Sequence, residues 1–263
     1  MTNKLITVGC DPEFFVTRDG KIVASQDIIP GTKHEPHWLT GGAIHRDNIL
    51  GELAMSPAST EDMFVSNLYS VIDQAKQILL EHDADMLWQP SAFVDDSCLQ
   101  HYEAMEFGCD PDWDCWNYTK PSTPNPLDAG NLRSSGGHAH VGFEYEDRED
   151  QFRAARSLDV YLGLPSVLFD SDKLRRNLYG KSGRFRPKPY GIEYRTLSNQ
   201  WLNSESLIRW VYRQAVLGVN ERHNNPISSS KDVAELQRII NTSDSDAAQS
   251  WVTDLNIEVP AYG

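Results

Sequence analysis

The chain has 263 residues, 40% of them hydrophobic and 24% charged, and a net charge of -14 at pH 7. This is the composition of a globular protein with room for one large core, and it excludes a disordered chain. The acidic balance argues against nucleic acid as a partner, because phosphate backbones need a basic face, and no apolar run approaches the ~20 residues of a membrane span. Met1 to Leu5 has no signal-peptide h-region, so the expected location is the cytoplasm. Cys10, Cys98, Cys109 and Cys115 lack metal-binding spacing and read as reduced thiols rather than as two disulfides.

Leu5 to Thr17 reads as a strand, broken or bulged at Pro12, which cannot donate to a ladder. Within it Asp11 and Glu13 are two residues apart and project from one face. Like charges that close need a cation or water beside them. Arg18 to Lys21 is a turn, and Ile22 to Ala24 returns as a strand. Ile29 to Leu39 reads as a loop. Gly42 to Ala54 reads as a second hairpin, with Glu52 a lone acid in an apolar strand. Ser59 and Asp62 resemble a capping box. After them Met63, Phe64, Leu68, Val71, Ile72, Ala75, Ile78 and Leu79 recur at helical spacing, predicting an amphipathic helix of about six turns that covers a sheet.

Asp83 to Gln89 leads into a short strand. Phe107 to Arg133 is a long irregular segment with Trp113, Trp116 and several acids, and loops of that length are usually functional or mobile. Gly136-Gly137-His138-Ala139-His140 puts two imidazoles on one strand face, behind glycines that permit close approach of a backbone or a phosphate. Glu149 to Leu162 is a predicted helix. Leu174 to Pro189 reads as a basic loop that, with Lys173, carries seven cations. Tyr190 to Leu197 is a strand bearing Glu193 and Arg195. Ser204 to Arg222 is a helix, and one or two short helices follow Ser230. No linker splits the chain. The expectation is one domain over 1–263, with a core of about 5–225 and a helical tail over 226–263.

Each motif has a bland reading: an ion pair for Glu193 and Arg195, core histidines for His138 and His140, a solvated acid for Glu52. Together they form a set of strand-borne carboxylates and imidazoles beside a cationic segment. Carboxylates with few imidazoles suit magnesium or manganese better than zinc. Arginines suit phosphates. Acids, a divalent metal and arginines on one sheet face are what phosphoryl transfer requires. No Walker-type loop and no G-x-G-x-x-G is present.

Val-Gly-Cys-Asp-Pro-Glu-Phe-Phe (8–15) resembles the first metal-binding strand of glutamine synthetases. Gly-Gly-His-Ala-His-Val (136–141) resembles their His-x-His strand, and Arg-Pro-Lys-Pro-Tyr-Gly-Ile-Glu-Tyr-Arg (186–195) their late x-Glu-x-Arg strand. The ordered combination, with Pro-Gly-Thr-Lys and Arg-Arg-x-Leu-Tyr-Gly-Lys, is similar to the carboxylate–amine ligases of tailed phages, in the glutamine synthetase and glutamate–cysteine ligase superfamily. The match runs from about Val8 to about Trp201.

The resemblance implies an α+β fold: a curved antiparallel sheet with helices on its convex face and a C-terminal helical segment. It implies an ATP- and Mg2+- (or Mn2+-) dependent carbon–nitrogen ligase that joins a small-molecule or peptide carboxylate to an amine through an acyl phosphate. It also allows a homodimer and places the protein in a host cytoplasm. Glu13 and Glu52 would match one metal position, and Asp11, His138 and Glu193 the other. Asp11 stands where glutamine synthetases usually carry Glu. His140 would contact nucleotide. Arg184, Arg186 and Arg195 would hold phosphates or the intermediate, with Arg175, Arg176 and Lys181 as further cofactor or carboxylate binders. The Trp113 and Trp116 segment would shape the acceptor pocket. The competing readings are a metal-dependent hydrolase using His138 and His140, and a non-catalytic binding protein that retains the ligase fold.

Overall fold

The computed structural model describes residues 5–105, 112–122 and 126–261. Cys109 and most of the Gly108 to Asp112 stretch lie outside the described residues. In chain order the strands are β1 (Thr7–Arg18), β2 (Lys21–Val23), β3 (His37–Leu39), β4 (Gly42–Asp47), β5 (Leu50–Met55), β6 (Asp85–Leu87), β7 (Ser91–Phe93), β8 (Trp113–Asp114), β9 (Leu132–Ser134), β10 (Gly137–Gly142), β11 (Arg184–Lys188) and β12 (Gly191–Tyr194). The helices are α1 (Glu61–Leu80), α2 (Pro126–Ala129), α3 (Arg148–Leu158), α4 (Leu164–Ser166), α5 (Lys173–Leu178), α6 (Glu205–Asn220), α7 (Ser230–Thr242) and α8 (Ser245–Asp254). A π-helical turn, Asp159–Gly163, joins α3 to α4.

One antiparallel sheet dominates. Its order is β3-β4-β5-β1-β10-β12-β11-β8, with β2 and β6 also paired to β1. The period of two divides every strand between two environments. Val8, Cys10, Phe14 and Val16 of β1, Leu53 of β5, Val141 of β10, Phe185 of β11, and Ile192 and Tyr194 of β12 join the main core. Helices α1, α3 and α6 cover that face with Phe64, Leu68, Phe152, Leu158, Ile208 and Val211. The other face carries the polar alternates. A second apolar cluster of Phe15, Leu50, Ala92 and Val94 sits beside the β7–β9 pair. The C-terminal helices pack through Leu236, Ile240 and Val252 onto Val160, Leu164 and Val167.

Several expectations shift. Strand β1 is continuous through Pro12, which pairs with Gly137 at the end of the β10 ladder; from Glu13 on, β1 is paired with β5. The cap of α1 is Thr60, one residue beyond Ser59, and its side chain accepts from the Met63 amide. The basic segment expected as a loop is helix α5 followed by strand β11, because Arg184 and Arg186 flank the core residue Phe185 at the strand period of two. Cys10, Cys98 and Cys115 are buried free thiols. Among the described residues no helix is long and apolar enough to cross a membrane.

Candidate functional site

Cross-strand partners in a sheet share a face, and the register aligns the singled-out residues in rows. Glu13 of β1 pairs with Glu52 of β5, which pairs with His45 of β4. Asp11 pairs with His138. His140 pairs with Glu193, and Glu193 with Arg186. Arg195 directly follows β12, and its amide donates to the Arg184 carbonyl at 2.9 Å. The sheet therefore places these seven carboxylate and imidazole positions beside three arginines on one side, with the apolar alternates on the other.

Two ligand clusters result. Asp11, His140 and Glu193 present donor atoms within 4.8 Å of one another, and so do Glu13, Asp47 and Glu52. His140, expected at the nucleotide, is the imidazole in the first cluster. His138 stands beside it, its Nδ1 3.2 Å from Asp11 and 4.0 Å from Glu193. The two histidines have opposite electrostatics. Burial and the Arg195 guanidinium push His138 down to about 4. His140 is also buried, but Asp11 at 2.9 Å holds it above its ordinary value. Burial alone would raise Asp11; the two imidazoles instead bring it well below the usual carboxylate range. In the second cluster burial and the facing Glu52 push Glu13 up to about 8, although Glu13 accepts the Gly136 amide at 2.6 Å. Glu52 is likewise raised by burial, against the pull of His45 at 3.1 Å.

The cations converge on Glu193. Arg186 lies 3.3 Å from it, Lys188 2.8 Å, and Arg195 makes a direct ion pair. Arg195 also contacts the Tyr179 hydroxyl. Asp112 ties the arginines together, 2.8 Å from Arg184 and 3.7 Å from Arg195. A cavity of about 400 Å³ opens next to Asp11, lined by Gly9, Ala54, Pro57, His140 and Tyr190 among others. The Tyr190 hydroxyl meets His140 Nδ1 at 2.5 Å.

Three expected binders are not in these clusters. Arg175 is buried, and its Nε, Nη1 and Nη2 donate to the carbonyls of Ser135, Thr196 and Leu197. Burial and the adjacent Arg176 pull Arg175 down to about 9. Arg176 is buried too and donates to the Gly180 and Thr196 carbonyls. Lys181 is exposed before β11. The glycines before His138 admit protein rather than leaving space for phosphate: a Cβ on Gly137 would press against Ser198 and Trp201. Trp113 and Trp116 do not face the clusters. Trp113 packs edge-on against Phe152, and Trp116 donates to Asp159 at 2.6 Å on the helical side. What that segment brings to the site is Asp112. The sequence reading missed Asp112, Asp47, His45 and Lys188 as site members. For His45 and Asp47 part of the signal was available: they stand two residues apart, on one face of a strand antiparallel to that of Glu52.

Residues 131–260 match the family described as "Phage phiEco32-like COOH.NH2 ligase-type 2". That match spans just under half of the chain, and over it the chain is similar to this ligase family. The matched residues include β10, β11 and β12, and so His138, His140, Glu193 and all three arginines on the sheet face. No curated protein matches the sequence. Among solved structures the chain is similar to "Apo GmaS without ligand" and to "GmaS/ADP complex-Conformation 1". Each has a TM-score of 0.45 and 9% identity, over 98% of this chain and 71% of that one. It is also similar to a Plasmodium falciparum glutamine synthetase, with a TM-score of 0.40 and 9% identity, over 83% of this chain and 52% of the other.

Proposed function

We propose that this chain is an ATP- and Mg2+- (or Mn2+-) dependent carboxylate–amine ligase working through an acyl phosphate. The observation that carries the reading is the pair of carboxylate clusters on one sheet face, bordered by the cations of β11 and β12. The donor sets fit hard divalent ions: three carboxylates in one, two carboxylates and an imidazole in the other. Asp11, His140 and Glu193 would hold one ion, and Glu13, Asp47 and Glu52 another. Ions there would supply positive charge against the phosphates and the transition state.

The side chains supply the rest. Arg184, Arg186 and Arg195 are fixed by Glu193, Asp112 and Tyr179, so their donors are preorganised for a transferring phosphoryl group. The γ-phosphoryl would pass to the substrate carboxylate, ADP would leave, and an amine would displace phosphate to give the amide. Lys188, now 2.8 Å from Glu193, is within reach of any phosphate placed against that carboxylate. His138, held neutral at ordinary pH by burial and Arg195, supports Asp11 without adding charge. The cavity beside Asp11 and His140 supports a nucleotide seated next to them.

The test is phosphate release from ATP over a panel of carboxylates and amines. Release should need both substrates and a divalent ion, and should be lost in Glu193→Gln. Crystals grown with a non-hydrolysable ATP analogue and manganese should carry metal at Asp11 and Glu193 and at Glu13 and Glu52. Retained zinc with turnover in the absence of nucleotide would overturn the proposal in favour of a hydrolase.

A further inference from the structure

Away from the sheet face, the helical side holds a second cavity, of about 570 Å³, between α3, the Trp116 turn, the end of α6 and the start of α7. Its charged lining is all of one sign. Arg153, Arg156 and Arg222 face it together with His223, and among the described residues no acid lines it, in a chain whose net charge is -14. Glu149 and Asp150 stand behind the arginines rather than in the cavity. Arg156 is 3.0 Å from Glu149, donates from Nε to the Cys115 carbonyl at 2.9 Å, and lies over the Tyr118 ring. Arg222 is 2.8 Å from the buried Asp150. These two guanidinium groups are therefore held in place before any ligand arrives. Arg153 is the looser one: its Nε is 4.0 Å from Glu149, and the side chain is 41% exposed.

The opposite wall adds donors. Helix α7 begins there, with Ser228, Ser230 and Gln237 on the lining. Thirteen residues of aligned peptide dipoles put a partial positive charge at that end. Arginine forks, a helix start and side-chain amides arriving from separate elements form a concave set of donors, and the cavity size is that of a small-molecule site.

We propose that this groove binds a small polyanion, with two or more phosphate or carboxylate groups, at a site separate from the sheet face. Arg153, Arg156 and Arg222 grip the anionic groups, while Trp116 and Ile227 give the groove an apolar floor. The proposal does not depend on the ligase reading.

The experiment is isothermal titration of the full chain with inorganic pyrophosphate and, separately, with citrate, in chelator-treated buffer at two salt concentrations. Binding should be seen with at least one of the two and should weaken at higher salt. Arg153→Glu on one wall and Gln237→Glu on the other should each weaken it by tenfold or more. Both positions are on the surface, and an unchanged melting temperature would establish that the variants fold. Glu193→Gln should leave the titration unaltered. No binding of either anion to the wild-type protein, or binding that survives both groove variants, would refute the site. Binding lost in Glu193→Gln but kept in Arg153→Glu would assign the anion to the sheet face and overturn the proposal equally.

Discussion

Glu13 and Glu52 stand directly opposite each other across the β1–β5 pair. Two carboxylates in that register repel, and both are half-buried, so without a cation one of them keeps its proton. Glu13 is pushed up to about 8 by burial and then by Glu52 and Asp47. In the unfolded chain it ionises near 4.5. Between these values the folded state binds more protons, so the metal-free protein should lose stability as pH rises from about 4.5 to about 8. Manganese should reverse the trend, because the ion takes the place of the proton. Melting curves across this range, with and without manganese, test both signs. Glu13→Gln should flatten the metal-free profile, and a metal-free protein that grows more stable with pH would contradict the assignment.

Asp112 is predicted to act through the arginines it holds. It is 2.8 Å from Arg184 and 3.7 Å from Arg195. Asp112→Asn should lower ligase turnover by about 10- to 100-fold, the scale on which supporting residues act on a site. Arg184 and Arg195 should then hold phosphate more loosely, so KM for ATP should rise as well. An unchanged rate in a folded variant would remove Asp112 from the site.

Arg175 is predicted to be structural. Its guanidinium joins three backbone carbonyls, from Ser135 before β10 and from Thr196 and Leu197 after β12. Arg175→Ala should destabilise the fold by at least about 1–3 kcal/mol, the cost of leaving buried carbonyls without a donor. Denaturant titration measures this. A variant of normal stability with a raised KM for ATP would return Arg175 to the nucleotide site.

Asp159 makes a parallel case on the other side of the sheet. It is fully buried and accepts from Trp116, Ser182 and Tyr194, each at 2.6 Å or less. Burial keeps its carboxyl above the ordinary range. Asp159→Ala leaves three buried donors without an acceptor and should cost at least about 1–3 kcal/mol. Because Tyr194 lies between Glu193 and Arg195, metal affinity should fall with stability. Unaltered manganese binding in a destabilised variant would show that β12 keeps its geometry without this anchor.

Gly51 tests the packing under the metal strand. A Cβ there would collide with the Phe14 ring, its cross-strand partner. Gly51→Ala should destabilise by about 1–3 kcal/mol through overpacking, read as a lower melting temperature. It should also disturb Glu52, one residue along.

The sequence by itself determined which residues share a face. Alternation put Asp11 with Glu13, His138 with His140, and Glu193 with Arg195, because the side-chain period of a strand is two and needs no tertiary information. It also marked the strands that bury their alternates, since Phe14, Val141 and Ile192 are apolar residues directly beside Glu13, His140 and Glu193. Pairing across strands was beyond its reach. Which strand lies beside which, and in what register, follows from contacts more than a hundred residues apart, such as Asp11 with His138. Only the folded sheet brought His140 rather than His138 into the cluster with Asp11 and Glu193, and only it added Asp47. The fate of the arginines was decided the same way. Arg175 and Arg186 carry the same charge in the same basic stretch, yet one side chain is absorbed by backbone carbonyls and the other faces Glu193. Charge and spacing are local properties; whether a guanidinium is left for a ligand depends on which carbonyls the rest of the chain brings within reach of it.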